Sequence, residues 1–151
     1  MPCTLPAVLA DAAVCRGSFH AVLRTDVPDT VFSAFSAALQ KAQADGSLLT
    51  ASLFRCESHL FFYAEGLNRP FTPQGLCPAL DAALLPWPPA LGETSPRPWA
   101  VMQPYFYHDI PTTAADWQQG RCPQRRRGRI ALLPPDKWCS YMEHHLRIVT
   151  E

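Results

Sequence analysis

The stretch Leu49-Thr50-Ala51-Ser52-Leu53-Phe54-Arg55-Cys56-Glu57-Ser58-His59-Leu60-Phe61-Phe62-Tyr63-Ala64-Glu65 decides the fold. Two runs rich in aromatic and aliphatic residues, Leu49–Arg55 and His59–Glu65, flank the polar triplet Cys56-Glu57-Ser58. Strand-length runs joined by so short a polar loop predict a β-hairpin. Upstream, Phe19–Leu23 alternates around Ala21 and reads as a strand that ends at Thr25 and Asp26. Pro28 and Asp29 then open a helix to about Ala44. Val31, Phe32, Phe35, Ala38, Leu39 and Ala42 recur on it at helical spacing, and Asp45-Gly46 closes it.

Downstream of the hairpin, Thr72–Leu85 contains a second predicted helix that starts near Pro73. The proline-rich segment Pro86–Pro98 excludes helix and inner strand, and Trp87 and Trp99 are read as clamps that hold it to the domain. Trp99–Tyr107 reads as a closing strand, with Pro104 placing it at an edge or a bulge. The order from Phe19 is β-α-β-β-α-β, the ferredoxin-like arrangement of an α+β domain. Its boundaries are 18–111, after an N-terminal arm, residues 1–17. An open sheet with helices on one face leaves the other face apolar, so pairing of two sheets, as a homodimer or as two copies in one chain, is expected.

A second start follows. Residues 112–128 read as an Arg-rich linker with a short helix around Ala114–Gln119, and Arg129–Leu133 reads as a strand. Pro135-Asp136 then opens an amphipathic helix, repeating the strand, Pro-Asp, helix order of 19–44. Residues 129–151 are therefore expected to be an incomplete second βα copy, which cannot bury its own faces and must pack on the first domain or on another chain.

Composition bounds the function. The 151 residues carry 13 basic and 13 acidic side chains, so no global field favours nucleic acid or an anionic membrane. Arg121, Arg125, Arg126, Arg127 and Arg129 cluster without aromatic interleaving, which reads as a solvated linker and not as a nucleic-acid interface. No apolar run approaches the roughly 20 residues that span a bilayer. The N-terminus lacks a positive leader region and carries Asp11 in its apolar stretch, so a cytoplasmic protein is expected. Six cysteines occur without a C-x-x-C pair, which favours reduced structural thiols. Cys139, His144 and His145 make a poor metal set, because adjacent histidines on a helix diverge by about 100°. No metal and no cofactor are expected. His108-Asp109 reads as a strand-end turn, since neighbouring side chains on a strand point to opposite faces, and His59 reads as a surface residue.

The terminal helix carries the candidate chemistry. Tyr141 and His145 stand four residues apart on one face, with Trp138 one turn earlier on the same side. An indole that stacks on a sugar ring, beside a phenol and an imidazole that handle hydroxyl protons, fits a carbohydrate pocket. Trp138, Tyr141, Met142, His145 and Val149 equally make a packing stripe with no chemistry.

Pro135, Asp136, Tyr141, His145 and Glu151, in that spacing, resemble the first-helix motif of the L-rhamnose mutarotase family. The hairpin 52–65 and the strand 101–107 are similar to that family's central hairpin and closing strand. Leu85-Pro86-Trp87-Pro88 and the run Arg125–Arg129 resemble features that join the two copies in tandem mutarotase-like proteins of uncharacterised function. The resemblance implies a dimeric α+β barrel and interconversion of the α and β anomers of a free sugar. Tyr141 and His145, which match the motif, would then be catalytic; the substrate-binding role of Trp138 rests on the stacking argument alone. Ala34 and Ala38 stand at the first copy's equivalents of Tyr141 and His145, so the complete first domain is expected to lack a catalytic pair of its own. The alternative is a non-catalytic binding or assembly module on the same scaffold.

Overall fold

The computed structural model describes residues 11–89, 92–104, 111–120 and 133–148. Its secondary structure begins with β1 (Val14–Val22), α1 (Asp29–Ala44), β2 (Leu48–Cys56) and β3 (His59–Leu67), followed by α2 (Pro78–Ala82) and β4 (Ala100–Val101). Then come α3 (Ala114–Gly120), a 3-10 turn (Pro135–Lys137) and α4 (Trp138–Ile148). The architecture is α+β, with one four-stranded antiparallel sheet in the order β2-β3-β1-β4.

The hairpin forms as its sequence predicts, with Cys56 opposite His59 and Glu57-Ser58 as the turn. Glu57 takes a left-handed φ of 53°, and its carbonyl accepts a hydrogen bond from Arg55 Nε at 2.9 Å. The guanidinium of Arg55 also donates to Asp26 Oδ1 at 2.6 Å and lies over the Phe32 ring. One charged side chain thus ties the hairpin tip to the helical layer.

Helix α1 starts after Pro28, whose fixed φ suits a helix entry, and it ends at Asp45, with Gly46 at a φ of +78°. It buries Phe35 and Ala42, with Val31, Phe32 and Leu39 partly buried beside them. Against that stripe the sheet presents Phe19, Ala21, Leu60, Phe62 and Ala64, as the two-residue period of strands requires. The centre is aromatic. Phe35 meets Phe62 edge-on at 5.7 Å, and Trp99, 1% exposed, lies 6.2 Å from Phe35 and 6.0 Å from Phe62. Trp99 Nε1 donates to Asp81 Oδ1 at 2.9 Å, so the ring is buried with its polar atom satisfied.

Three expectations are corrected. The N-terminal arm, residues 1–17, contains the start of β1: Val14, Cys15, Arg16 and Gly17 pair in register with Leu67, Gly66, Glu65 and Ala64. The helix expected within Thr72–Leu85 shortens to Pro78–Ala82. Gly75, at a φ of +84°, turns the chain before it. After it, Ala83, Leu84 and Leu85 are taken up by the edge of β1 through Arg24 N–H to Ala83 O, a Leu23–Leu84 bridge and Leu85 N–H to Val22 O. The closing strand, expected over Trp99–Tyr107, pairs only at Ala100 and Val101 among the described residues, and Met102 N–H to Ser18 O is its last ladder bond. The rest of that strand, His108-Asp109, the Arg-rich cluster, most of the expected strand Arg129–Leu133, and Val149 and Glu151 lie outside the described residues.

Candidate functional site on the open sheet face

The sheet face turned away from α1 is set by alternation. On β1 it carries Arg16, Ser18 and His20; on β3 it carries His59, Phe61, Tyr63 and Glu65. Cross-strand pairing places Arg16 opposite Glu65, Ser18 opposite Tyr63, and His20 opposite Phe61, with His59 diagonal to His20. This face therefore collects most of the ionisable side chains of the two central strands, separated into two groups.

The first group is a histidine pair. His20 Nε2 and His59 Nδ1 are 2.9 Å apart, and the two rings lie nearly parallel, at 11°. One nitrogen must carry the proton and the other accept it, so at least one ring is neutral while this contact holds. Burial, followed by repulsion from His59, pushes the His20 imidazole below its ordinary value. Trp87 packs its ring 5.2 Å from that of His20. It is held there by paired backbone hydrogen bonds with Arg97, at 2.8 and 3.1 Å, which close the proline-rich loop.

The second group centres on Glu65, whose side chain is fully buried. Tyr63 O–H donates to Oε1 at 2.5 Å, Trp117 Nε1 donates to Oε2 at 2.6 Å, and Arg16 Nε lies 3.6 Å from Oε1. The Arg16 guanidinium also donates to the carbonyls of Pro111 and Val14. With both oxygens engaged by donors, Glu65 anchors the 111–120 segment to the sheet. Val14 N–H to Thr112 O and Ala114 N–H to Ala12 O reinforce that anchor. A buried charge so fully enclosed is suited to holding structure and poorly suited to exchanging protons with a ligand. The histidine pair is the more accessible end of the face.

Beside the outer edge of β1 lies a cavity of about 760 Å³, walled by β1, the 70–74 loop and the 92–97 loop. Arg97 on its wall separates it from a smaller cavity of about 430 Å³.

The residues expected from sequence lie elsewhere. Trp138 and Tyr141 share a face of α4 and are 42% and 46% exposed, and neither lines the cavity. The backbone of His145 belongs to α4, but its side chain lies outside the described residues. His59, read as a surface residue, is half-buried against His20, a pairing that separation by 39 residues hides from spacing analysis. A detectable signal existed in the alternation of β1, since His20 occupies an open-face position on a strand otherwise legible from its apolar residues.

Among the described residues no group of three or more His, Cys, Asp or Glu side chains is placed to hold a metal ion, and no helix is long and apolar enough to cross a membrane. No family model, curated protein or solved structure matches this chain.

Proposed function

We propose that this chain is a mutarotase-like, carbohydrate-related protein that moves protons on a small hydroxyl-bearing ligand at the open sheet face. The observation that carries this reading is the 2.9 Å contact between His20 and His59 beside the Trp87 ring. The strand order β2-β3-β1-β4, with α1 and α2 as its crossovers, supports a ferredoxin-like scaffold of the dimeric α+β-barrel type. On that scaffold two open sheet faces enclose a site, and a homodimer through this face fits the half-buried Phe54–Phe61 aromatic contact there.

Anomer interconversion breaks the bond between the anomeric carbon and the ring oxygen. One group protonates that oxygen while another takes the anomeric hydroxyl proton, and closure on the other face of the carbonyl reverses both transfers. Two imidazoles that share one proton supply an acid and a base within one contact. The indole of Trp87 offers an apolar platform beside them. Tyr141 and His145, on the motif-bearing helix, are a second acid–base pair under the same reading, with Trp138 as its substrate-stacking residue.

Two-dimensional exchange NMR on a panel of free sugars tests this. The folded protein is expected to accelerate anomer exchange over buffer for at least one sugar, and a His20→Ala/His59→Ala double variant is expected to remove the acceleration. If Tyr141→Phe and His145→Ala remove it instead, the activity belongs to the terminal helix. No acceleration by folded protein on any sugar overturns the enzymatic reading and leaves the non-catalytic module, which Ala34 and Ala38 at the first copy's motif positions also favour.

A further inference from the structure

Arg97 pairs with Glu93 and carries one buried N–H donor that meets no acceptor among the described residues. Its side chain is 22% exposed, and Glu93 Oε1 lies 3.6 Å from Nη1, an ion-pair distance too long for a hydrogen bond. Glu93 is itself half exposed, so water screens that attraction. Arg97 Nε is fully buried and meets no acceptor among the described residues. A guanidinium carries five N–H donors in a rigid fork, and withdrawing them from water without partners is costly. Most buried cations in folded proteins have a matching acceptor.

The part of the side chain that is not buried borders a cavity. Arg97 forms part of the wall of the 760 Å³ cavity, whose rim also carries the hydroxyls of Ser18, Thr72, Thr94 and Ser95 and the amide of Gln74. A volume of this size suits a small molecule. Two arginines and one glutamate line the wall: Arg16 lies 3.6 Å from the buried Glu65, and Arg97 lies 3.6 Å from the exposed Glu93, whose carboxylate an incoming oxyanion would have to displace. Hydroxyl and amide donors around one guanidinium form the chemistry that receives an oxyanion.

We propose that this cavity is a binding site for a small oxyanion, a phosphate or a carboxylate, held by the Arg97 guanidinium and the hydroxyls of the 92–97 loop. The site is separate from the histidine pair and does not depend on the anomer reading.

The Arg97 Nε–H resonance in a ¹H–¹⁵N spectrum reports on the site directly. Sodium phosphate and sodium gluconate are titrated into the full chain, with sodium chloride at matched ionic strength and glucose as the neutral control. A saturable shift of that resonance with phosphate or gluconate, absent with chloride and glucose, is expected, and the anion that saturates first identifies the ligand class. Arg97→Gln should weaken binding at least tenfold, read through its thermal stabilisation by the anion. Should Arg97→Gln fail to fold, Ser95→Trp, which fills the exposed rim while retaining the arginine, should weaken it comparably. Non-saturating shifts shared by all salts, or equal binding of glucose, overturn the proposal.

Discussion

The indole of Trp117 donates to Glu65 Oε2 across 2.6 Å, joining helix α3 to the middle of the sheet over a separation of 52 residues. Tyr63 donates to the other oxygen, so among the described residues both carboxylate oxygens accept a hydrogen bond.

Glu65→Gln should therefore be costly despite its near-identical shape. The amide NH2 must face either the Tyr63 hydroxyl or the Trp117 indole, and the contact to Arg16 loses its charge. A loss of about 1–3 kcal/mol is expected in urea unfolding. Trp117→Phe should cost a similar amount, and the double variant should cost less than the sum, because both remove one hydrogen bond. Strict additivity would show that the two residues act independently.

The histidine pair makes stability depend on pH in one direction. In the fold the His20 imidazole is held below its ordinary value by burial and by His59, so the unfolded chain binds the extra proton first. Its contribution is complete above the unfolded value, about 6.5, and falls as pH drops from there towards the lower folded value. His59→Ala removes the charge neighbour and should move the His20 titration, followed by its NMR ring resonances, back towards the ordinary range. An unchanged His20 midpoint in that variant would mean that burial alone sets it.

Trp99→Phe should destabilise the core by about 2–3 kcal/mol, judged by the shift in denaturation midpoint. The change opens space beside Phe35 and Phe62 and removes a donor to Asp81 Oδ1. Phe35→Ala, at the same centre, should cost more, about 3–5 kcal/mol.

Gly66 is required by close backbone approach. A Cβ there would lie 2.9 Å from Arg69 O and 3.3 Å from Ser47 O, both main-chain atoms that cannot swing aside. Gly66→Ala is expected to cost about 1–3 kcal/mol by thermal or chemical denaturation, whereas a neutral result would show that the 67–71 turn yields easily.

The sequence by itself determined the hairpin, helix α1 and the α+β class. Each of these rests on local signals: alternation over 49–65, helical recurrence of Val31, Phe35, Leu39 and Ala42, and Pro-Asp and Asp-Gly at the helix ends. The same local reading set the start of β1 late and drew α2 long, because Val14–Gly17 become strand only by pairing with 64–67, and Ala83–Leu85 leave the helix only because β1 offers them an edge. The sites divide the same way. Trp138 and Tyr141 were legible as a face of one helix, since spacing within a helix fixes direction. The pairing of His20 with His59, the burial of Glu65 beneath Trp117 and the burial of Arg97 Nε were decided by tertiary structure, because each depends on strand register and on loops packed against the sheet edge.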